Sequence, residues 1–271
     1  MSTTVALPAS SYRPARLTDT VRSEATKLST IPSTTWALIA TLIIGVGLSA
    51  LLSAVTAHAW QIDTPRVRET WDPTAMSTSG GSIAQLALAV LGVLAVTSEY
   101  ATGEIRSTLA ATPHRGRVLA AKAAVVSLVA FVAGEIVMFT AYGIGQALIH
   151  GHAPTSSLSQ PGVFRAVSGG GLYIIAIALL GVGFGTLLRG TAAAISTLVA
   201  LLYVLPALAA ALPGELGHAV QKYWPTQAGG QVTNVVHAAH TLGPWTGMAD
   251  LTAFTMLVLA VAYWRLTRTD S

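Results

Sequence analysis

No cysteine occurs in the 271 residues, so the chain can build neither a disulfide framework nor a thiolate metal site. Charge is almost as scarce: Asp, Glu, Lys and Arg make up 10% of residues, against roughly 25% in an ordinary soluble domain. Nucleotide and catalytic motifs are missing as well. None of Lys27, Lys122 and Lys222 follows a glycine, which excludes a GxxxxGK[ST] phosphate loop, and neither HExxH nor GxSxG occurs. The sequence therefore predicts a chain that is not itself an enzyme, and any ATP used with it must be bound by another polypeptide. There is no fixed-period repeat, and no polar stretch is long enough for a separate soluble domain.

What the sequence does have is apolar length. Hydrophobic residues make up 52% of the chain and the mean hydropathy is +0.62. Six apolar stretches stand out, near Trp36 to Ala57, Ser82 to Thr97, Ala123 to Ile149, Leu172 to Leu188, Thr191 to Leu212 and Met248 to Trp264. A bilayer crossing takes about 20 apolar residues. The first and fifth stretches meet that length, the second is short, and the third is long enough to tilt or to project beyond the bilayer. Only Arg189 and Gly190 separate the fourth from the fifth, which predicts a tight hairpin at a membrane face. The expected fold class is an all-α integral membrane protein with six transmembrane helices in a single domain over residues 1–271. Ala57-His58-Ala59 looks like a signal cleavage site, but the apolar run before it exceeds the roughly 7 to 15 residues of a signal peptide, so a retained anchor is expected.

The net charge of +4 would suggest nucleic acid if the basic residues were not gathered at span ends. In the six-span arrangement eleven Lys and Arg fall on one side, including Arg22, Lys27, Arg106, Arg115, Lys122, Arg189 and Arg265. Four fall on the other: Arg66, Arg68, Arg165 and Lys222. The positive-inside rule then places both termini and the 98–122 loop in the cytoplasm, and no nucleic-acid partner is expected.

Four features have chemistry beyond spanning. In the arm over residues 1–34, Leu17, Val21, Ala25 and Leu28 recur at helical spacing with Arg16, Asp19, Arg22 and Lys27 largely elsewhere, and Pro32 limits the helix. That pattern suits an interfacial amphipathic helix or an ordinary positive flank. In the loop after the second stretch, Gly103 permits a break, Glu104 to Leu109 can form a short helix with Ile105 and Leu109 one turn apart, and Pro113 ends it. Such a helix suits docking into a groove on a soluble partner; the alternative is a solvated loop with local ion pairs. Glu135, about 20 Å along the third stretch from Lys122, either lines a substrate path or is a structural carboxyl bonded to a Tyr, Ser or Gln on a neighbouring span. Gly169 to Gly171 and Gly181, Gly183 and Gly185 point to close helix packing, within the chain or across a dimer. His218, His237 and His240 in the 213–247 stretch lack a carboxylate or thiolate to complete a metal set, and Trp60, Trp71, Trp224 and Trp245 sit where interfacial aromatics belong.

These residues resemble the permease subunits of type-2 ABC transporters, particularly an actinobacterial multidrug-exporter-like branch, over nearly the whole chain. The resemblance is carried by Arg22-Ser23-Glu24-Ala25-Thr26-Lys27-Leu28 with Ser33-Thr34-Thr35-Trp36, and above all by Ser98 to Leu109 followed by Arg115-Gly116-Arg117 and Lys122. Tyr223-Trp224-Pro225 and Pro244-Trp245-Thr246-Gly247 match weaker motifs, while Ala25, Ser29 and Pro32 depart from the family pattern. The resemblance implies a type-2 exporter fold in a bacterial plasma membrane, with an interfacial N-terminal helix and a re-entrant outer segment at 213–247. It implies a homodimer or paralogous pair of permeases carrying two ATP-binding subunits, which hold the ATP and Mg. Docking would involve Glu99, Tyr100, Thr102, Gly103, Glu104, Ile105, Arg106 and Leu109, with Glu104 and Arg106 as polar contacts, Ile105 and Leu109 as apolar ones, and Glu99 fixing the end of the second span. The rival functions are an ATPase-independent secondary transporter and a non-transporting sensor or immunity subunit.

Overall fold

A computed structural model describes residues 16–60, 68–111, 115–237 and 241–268. Among them every regular element is helical. In chain order they are α1 (Leu17–Thr30), α2 (Pro32–Ala59), α3 (Pro73–Ser77), α4 (Gly81–Thr102), α5 (Glu104–Ala111), α6 (Arg115–Ile149) and α7 (Val163–Leu188). There follow α8 (Thr191–Val199), a π-helical turn (Ala200–Val204), α9 (Leu205–Ala210), α10 (Gly214–Tyr223), α11 (Pro225–Gly230), a 3₁₀ turn (Gln231–Thr233) and α12 (Pro244–Arg268). Six are long and apolar enough to cross a membrane: α2, α4, α6, α7, the continuous Thr191–Ala210 unit and α12. This is a multi-pass α-helical membrane protein.

Helices α4 and α7 form the inner pair, and small residues explain how closely they approach. A methyl group at Gly92 of α4 would overlap the Ala178 carbonyl of α7, and one at Gly181 of α7 would overlap the Ala89 carbonyl of α4. The two notches are reciprocal, so each backbone seats in the other's gap, as small residues allow between membrane helices. On the other sides of α7, Gly170 receives Met138 of α6 and Gly183 receives Val258 of α12. The glycines therefore serve packing within the chain.

The ends of the spans differ from the apolar stretches in a consistent way. Helix α6 begins at Arg115, a full two turns before the apolar run at Ala123, and α7 begins at Val163, well before Leu172. Polar and glycine-rich turns stay helical where they are packed: Val163, Ala166 and Val167 are buried, and Lys122 is seated among carboxylates. Ile31 is extended before Pro32, which ends α1 and starts α2 at its N1 position. Gly103, at φ 75°, closes α4 in the left-handed conformation and lets α5 leave in a new direction.

One end of the bundle gathers α1, α5, the Arg189–Gly190 turn and the C-terminal end of α12. Arg115 donates to the Leu266 carbonyl (2.8 Å) and Arg265 to that of Leu187. At the opposite end lie α3, α10 and α11. There Asp72 caps α3 through the Thr74 and Ala75 amides (3.0 Å each) and accepts from the Val235 and Val236 amides (2.6 and 2.8 Å). Arg165 donates to the carbonyls of Val232 and Asn234 (2.9 and 3.0 Å), so an anion and a cation hold the same five-residue stretch by its two kinds of backbone group.

Candidate functional site

Two polar centres lie at opposite ends of the bundle. At the end that carries α1 and α5, four charges from three helices meet: Glu24 and Lys27 of α1, Glu99 of α4 and Lys122 of α6. Lys122 Nζ donates to Glu24 Oε2 (2.7 Å), Glu99 Oε1 (2.8 Å) and the Ala95 carbonyl (2.9 Å), which uses all three ammonium protons. Lys27 Nζ donates to Glu99 Oε1 (2.7 Å), Glu24 Oε1 (3.2 Å) and Thr108 Oγ1 of α5 (3.4 Å). Two carboxylates and two ammoniums balance, which is what allows Glu24, Glu99 and Lys122 to be 2%, 3% and 3% exposed. Burial works against the Lys27 charge, but the carboxylates of Glu99 and Glu24 outweigh it and hold its pKa above the ordinary lysine value. Within the four-charge cluster, Glu99 Oε2 is the one side-chain oxygen buried with no hydrogen-bond partner among the described residues.

Around this cluster lie the residues expected to dock a partner. Glu99, expected among the docking residues and at the end of the second span, is enclosed and ties α4 to α1 and α6 through Lys27 and Lys122. Ile105, expected as an apolar docking contact, is turned inward at 6% exposure. Tyr100 is half-buried beneath the Arg189 guanidinium, 5.5 Å from its ring. Thr102, Gly103 and Glu104 are exposed, as is Ser107, whereas the side chains of Arg106 and Leu109 lie outside the described residues, as does Pro113. On α1 the residues facing the bundle are Thr20, Glu24 and Leu28, with Val21 half-buried against the same core; of the expected apolar stripe, Leu17 (49% exposed) and Ala25 face outward. The reason is electrostatic, since α1 must turn Glu24 inward to satisfy Lys122. Glu24 and Lys122 are members of the cluster that no sequence motif assigns to a site, since a lysine beside a span reads as a topology signal. The available sign was a carboxylate at the end of an apolar run, Glu99, which had to find a cation.

The second centre is a cavity of about 430 Å³ at the opposite half of the bundle, between α3, α4, α7, the π turn and α11. Gln85, at its wall, lies fourteen residues before Glu99, about 20 Å away along α4. Thr78, Ser79, Tyr173, Tyr203 and Thr226 are among the lining residues, with Met138, Ile174 and Leu202 as apolar wall. The π turn shapes it. Leu205 N–H bonds to the Ala200 carbonyl, five residues back, and the next acceptor in that register, Leu201 O, would need an N–H from Pro206, which has none. The indole of Trp224 supplies the missing donor at 2.9 Å, and Tyr203 is left bonded to the Ser82 carbonyl at 2.8 Å.

Glu135 stands apart from both centres. Its carboxyl group packs directly over Gly171 of α7, where a methyl group would collide with it. Among the described residues it has no hydrogen-bonding or ionic partner, so the expected bond to a Tyr, Ser or Gln is not made. At the far end, His58 and His152 stack at 5.4 Å between ring centroids, and Trp60 lies 4.9 Å from Trp71. His218 and His237 are exposed, and His240 lies outside the described residues.

Fold and site thus define a class: a six-span helical membrane protein with a buried charge cluster at one end and an uncharged polar cavity towards the other. Neither family models nor curated proteins match the sequence.

Proposed function

We propose that this chain is the membrane-spanning permease subunit of an ATP-driven exporter. In this reading it lies in a bacterial plasma membrane with both termini in the cytoplasm, pairs with a second permease, identical or paralogous, and docks a separate ATP-binding subunit at α5. The observation that supports it is the buried cluster of Glu24, Lys27, Glu99 and Lys122. It fastens α1, α4 and α6 together at the root of α5 and reaches α5 itself through Thr108, while Thr102, Gly103, Glu104 and Ser107 stay exposed. A push on α5 is therefore passed to three helices at once. ATP-driven closure of the partner would use it to bias the spans between two arrangements, as alternating access requires. ATP and Mg would be held by that partner.

The test is co-purification from native membranes in mild detergent. A stoichiometric ATP-binding subunit is expected with the wild-type chain, and a loss of about tenfold or more with Glu104→Lys, whose reversed charge faces the partner. An unchanged yield with Glu104→Lys overturns the assignment of α5 as the docking element.

A second reading, ATPase-independent transport coupled to protons, is favoured by one observation: the unpartnered Glu135 carboxyl inside α6. A lone intramembrane acid marks proton or substrate pathways in many transporters. Glu135→Gln is expected to abolish transport driven by a pH gradient under this reading, and to leave ATP-driven transport in place under the first.

A further inference from the structure

We propose that the cavity lined by Gln85, Tyr173, Tyr203 and Thr226 is a binding site for an uncharged amphiphile whose hydroxyl or amide head hydrogen-bonds in its depth. The inference rests on the cavity alone and stands apart from any coupling to an ATPase.

Unmet hydrogen-bonding capacity is the first argument. Gln85 Oε1, Ser79 Oγ and Thr226 Oγ1 are all buried without a hydrogen-bond partner, and all three residues line this one space. Gln85 and Thr226 are only 5% and 3% exposed. An unpaired polar atom in a protein interior is costly, so three converging on a void mark either a hydrated chamber or a ligand site. The amide of Gln85 is held in place, because its Nε2 donates to the Ser82 carbonyl at 2.6 Å and its oxygen is the end left free. Tyr203 spends its proton on the same carbonyl, so its oxygen is available only as an acceptor. Gln85 and Tyr203 therefore ask for a ligand that donates, while the Ser79 and Thr226 hydroxyls can take either role.

Charge and size narrow the class. Among the described residues no Asp, Glu, Lys, Arg or His lines the cavity, so a charged head would be buried there without a counter-ion. The volume of about 430 Å³ falls in the range of roughly 300–1,000 Å³ typical of small-molecule sites, and far exceeds the ~30 Å³ of one water. Ile174, Leu202 and Met138 give an apolar wall, and the exposed Ser82, Ile83 and Gln227 form the rim through which a ligand would enter.

The probe is a monoacylglycerol with a diazirine in its acyl chain, applied to the full chain in lipid nanodiscs and mapped by peptide mass spectrometry. Its glycerol head is uncharged and donates. Saturable labelling of peptides carrying Ile83, Ile174 or Leu202 is expected, with about tenfold weaker labelling by the same chain bearing a methyl-ester or a trimethylammonium head. Gln85→Leu with Thr226→Val should weaken labelling by a similar factor while the unfolding temperature holds or rises, because the variant removes buried unpaired groups. Either single substitution serves if the double variant does not fold. Displacement by free chloramphenicol would assign the site to water-borne solutes, and displacement only by unlabelled monoolein to membrane lipids; both support the proposal. Labelling that ignores the head group, survives Gln85→Leu, or maps only to the outer surface around Leu128 and Ile136 overturns it and leaves a water-filled chamber.

Discussion

Lys122 is the residue on which the charge cluster turns. It has no proton to spare and faces two carboxylates, so Lys122→Met leaves Glu24 and Glu99 sharing Lys27 alone. Loss of one partner from a buried ionic cluster costs about 3–5 kcal/mol. A marked fall in unfolding temperature in detergent is expected, and Glu24→Gln in the same chain should recover part of it, since it removes one of the two stranded negative charges. Lys27 adds a pH signature. Its folded pKa is raised, so the stability it contributes is present in full below its unfolded value near 10.4 and is lost as pH climbs through the folded value. Alkaline unfolding should therefore begin above about pH 10, with no such limb between pH 6 and 9, and Lys27→Met should flatten that part of the curve. Little of this was legible in the sequence. Glu24, Lys27, Glu99 and Lys122 stand up to 98 positions apart in the chain, and a lysine beside a span reads equally well as a topology signal.

The elements were legible in proportion to their apolar length. All six crossings were foreseen from hydropathy, and Gly103 and Pro32 marked real breaks, because backbone constraints act locally. Their ends were not, since what extends α6 back to Arg115 is a tertiary contact at Lys122. The π turn was hidden for a similar reason: Pro206 announces a disturbance in the fifth crossing, but the donor that resolves it comes from Trp224. Trp224→Phe is expected to strand the Leu201 carbonyl and to cost roughly 1–3 kcal/mol, measured as thermal stability. The reciprocal notches of α4 and α7 give a sharper contrast. Gly181→Val should prevent the two helices from closing and abolish the folded, monodisperse protein, whereas a valine at Gly143, which meets nothing, should be tolerated.

Across the whole molecule, the polar groups divide by charge. Ionic groups concentrate where α1, α5 and the C-terminal end of α12 meet, uncharged donors and acceptors line the cavity about 20 Å away along α4, and Asp72 and Arg165 tie down the segment at the far end. No local pattern announces the cavity, because Gln85, Tyr173, Tyr203 and Thr226 are scattered over four elements and none is unusual where it stands. The division suits a machine that receives force at one end and holds a neutral molecule nearer the other, with α4 and α7 as the shared rods. In the proposed function, α5 is where force enters. The absence of cysteine makes this directly measurable, for Ser107→Cys is exposed on α5 and would be the only thiol in the chain. Cross-linking from that thiol in native membranes, followed by mass spectrometry, should capture one ATP-binding protein in stoichiometric yield and change in extent when ATP is added. A chain that cross-links to no ATP-binding protein, while a control thiol placed at the exposed Ser159 behaves the same way, would contradict the account.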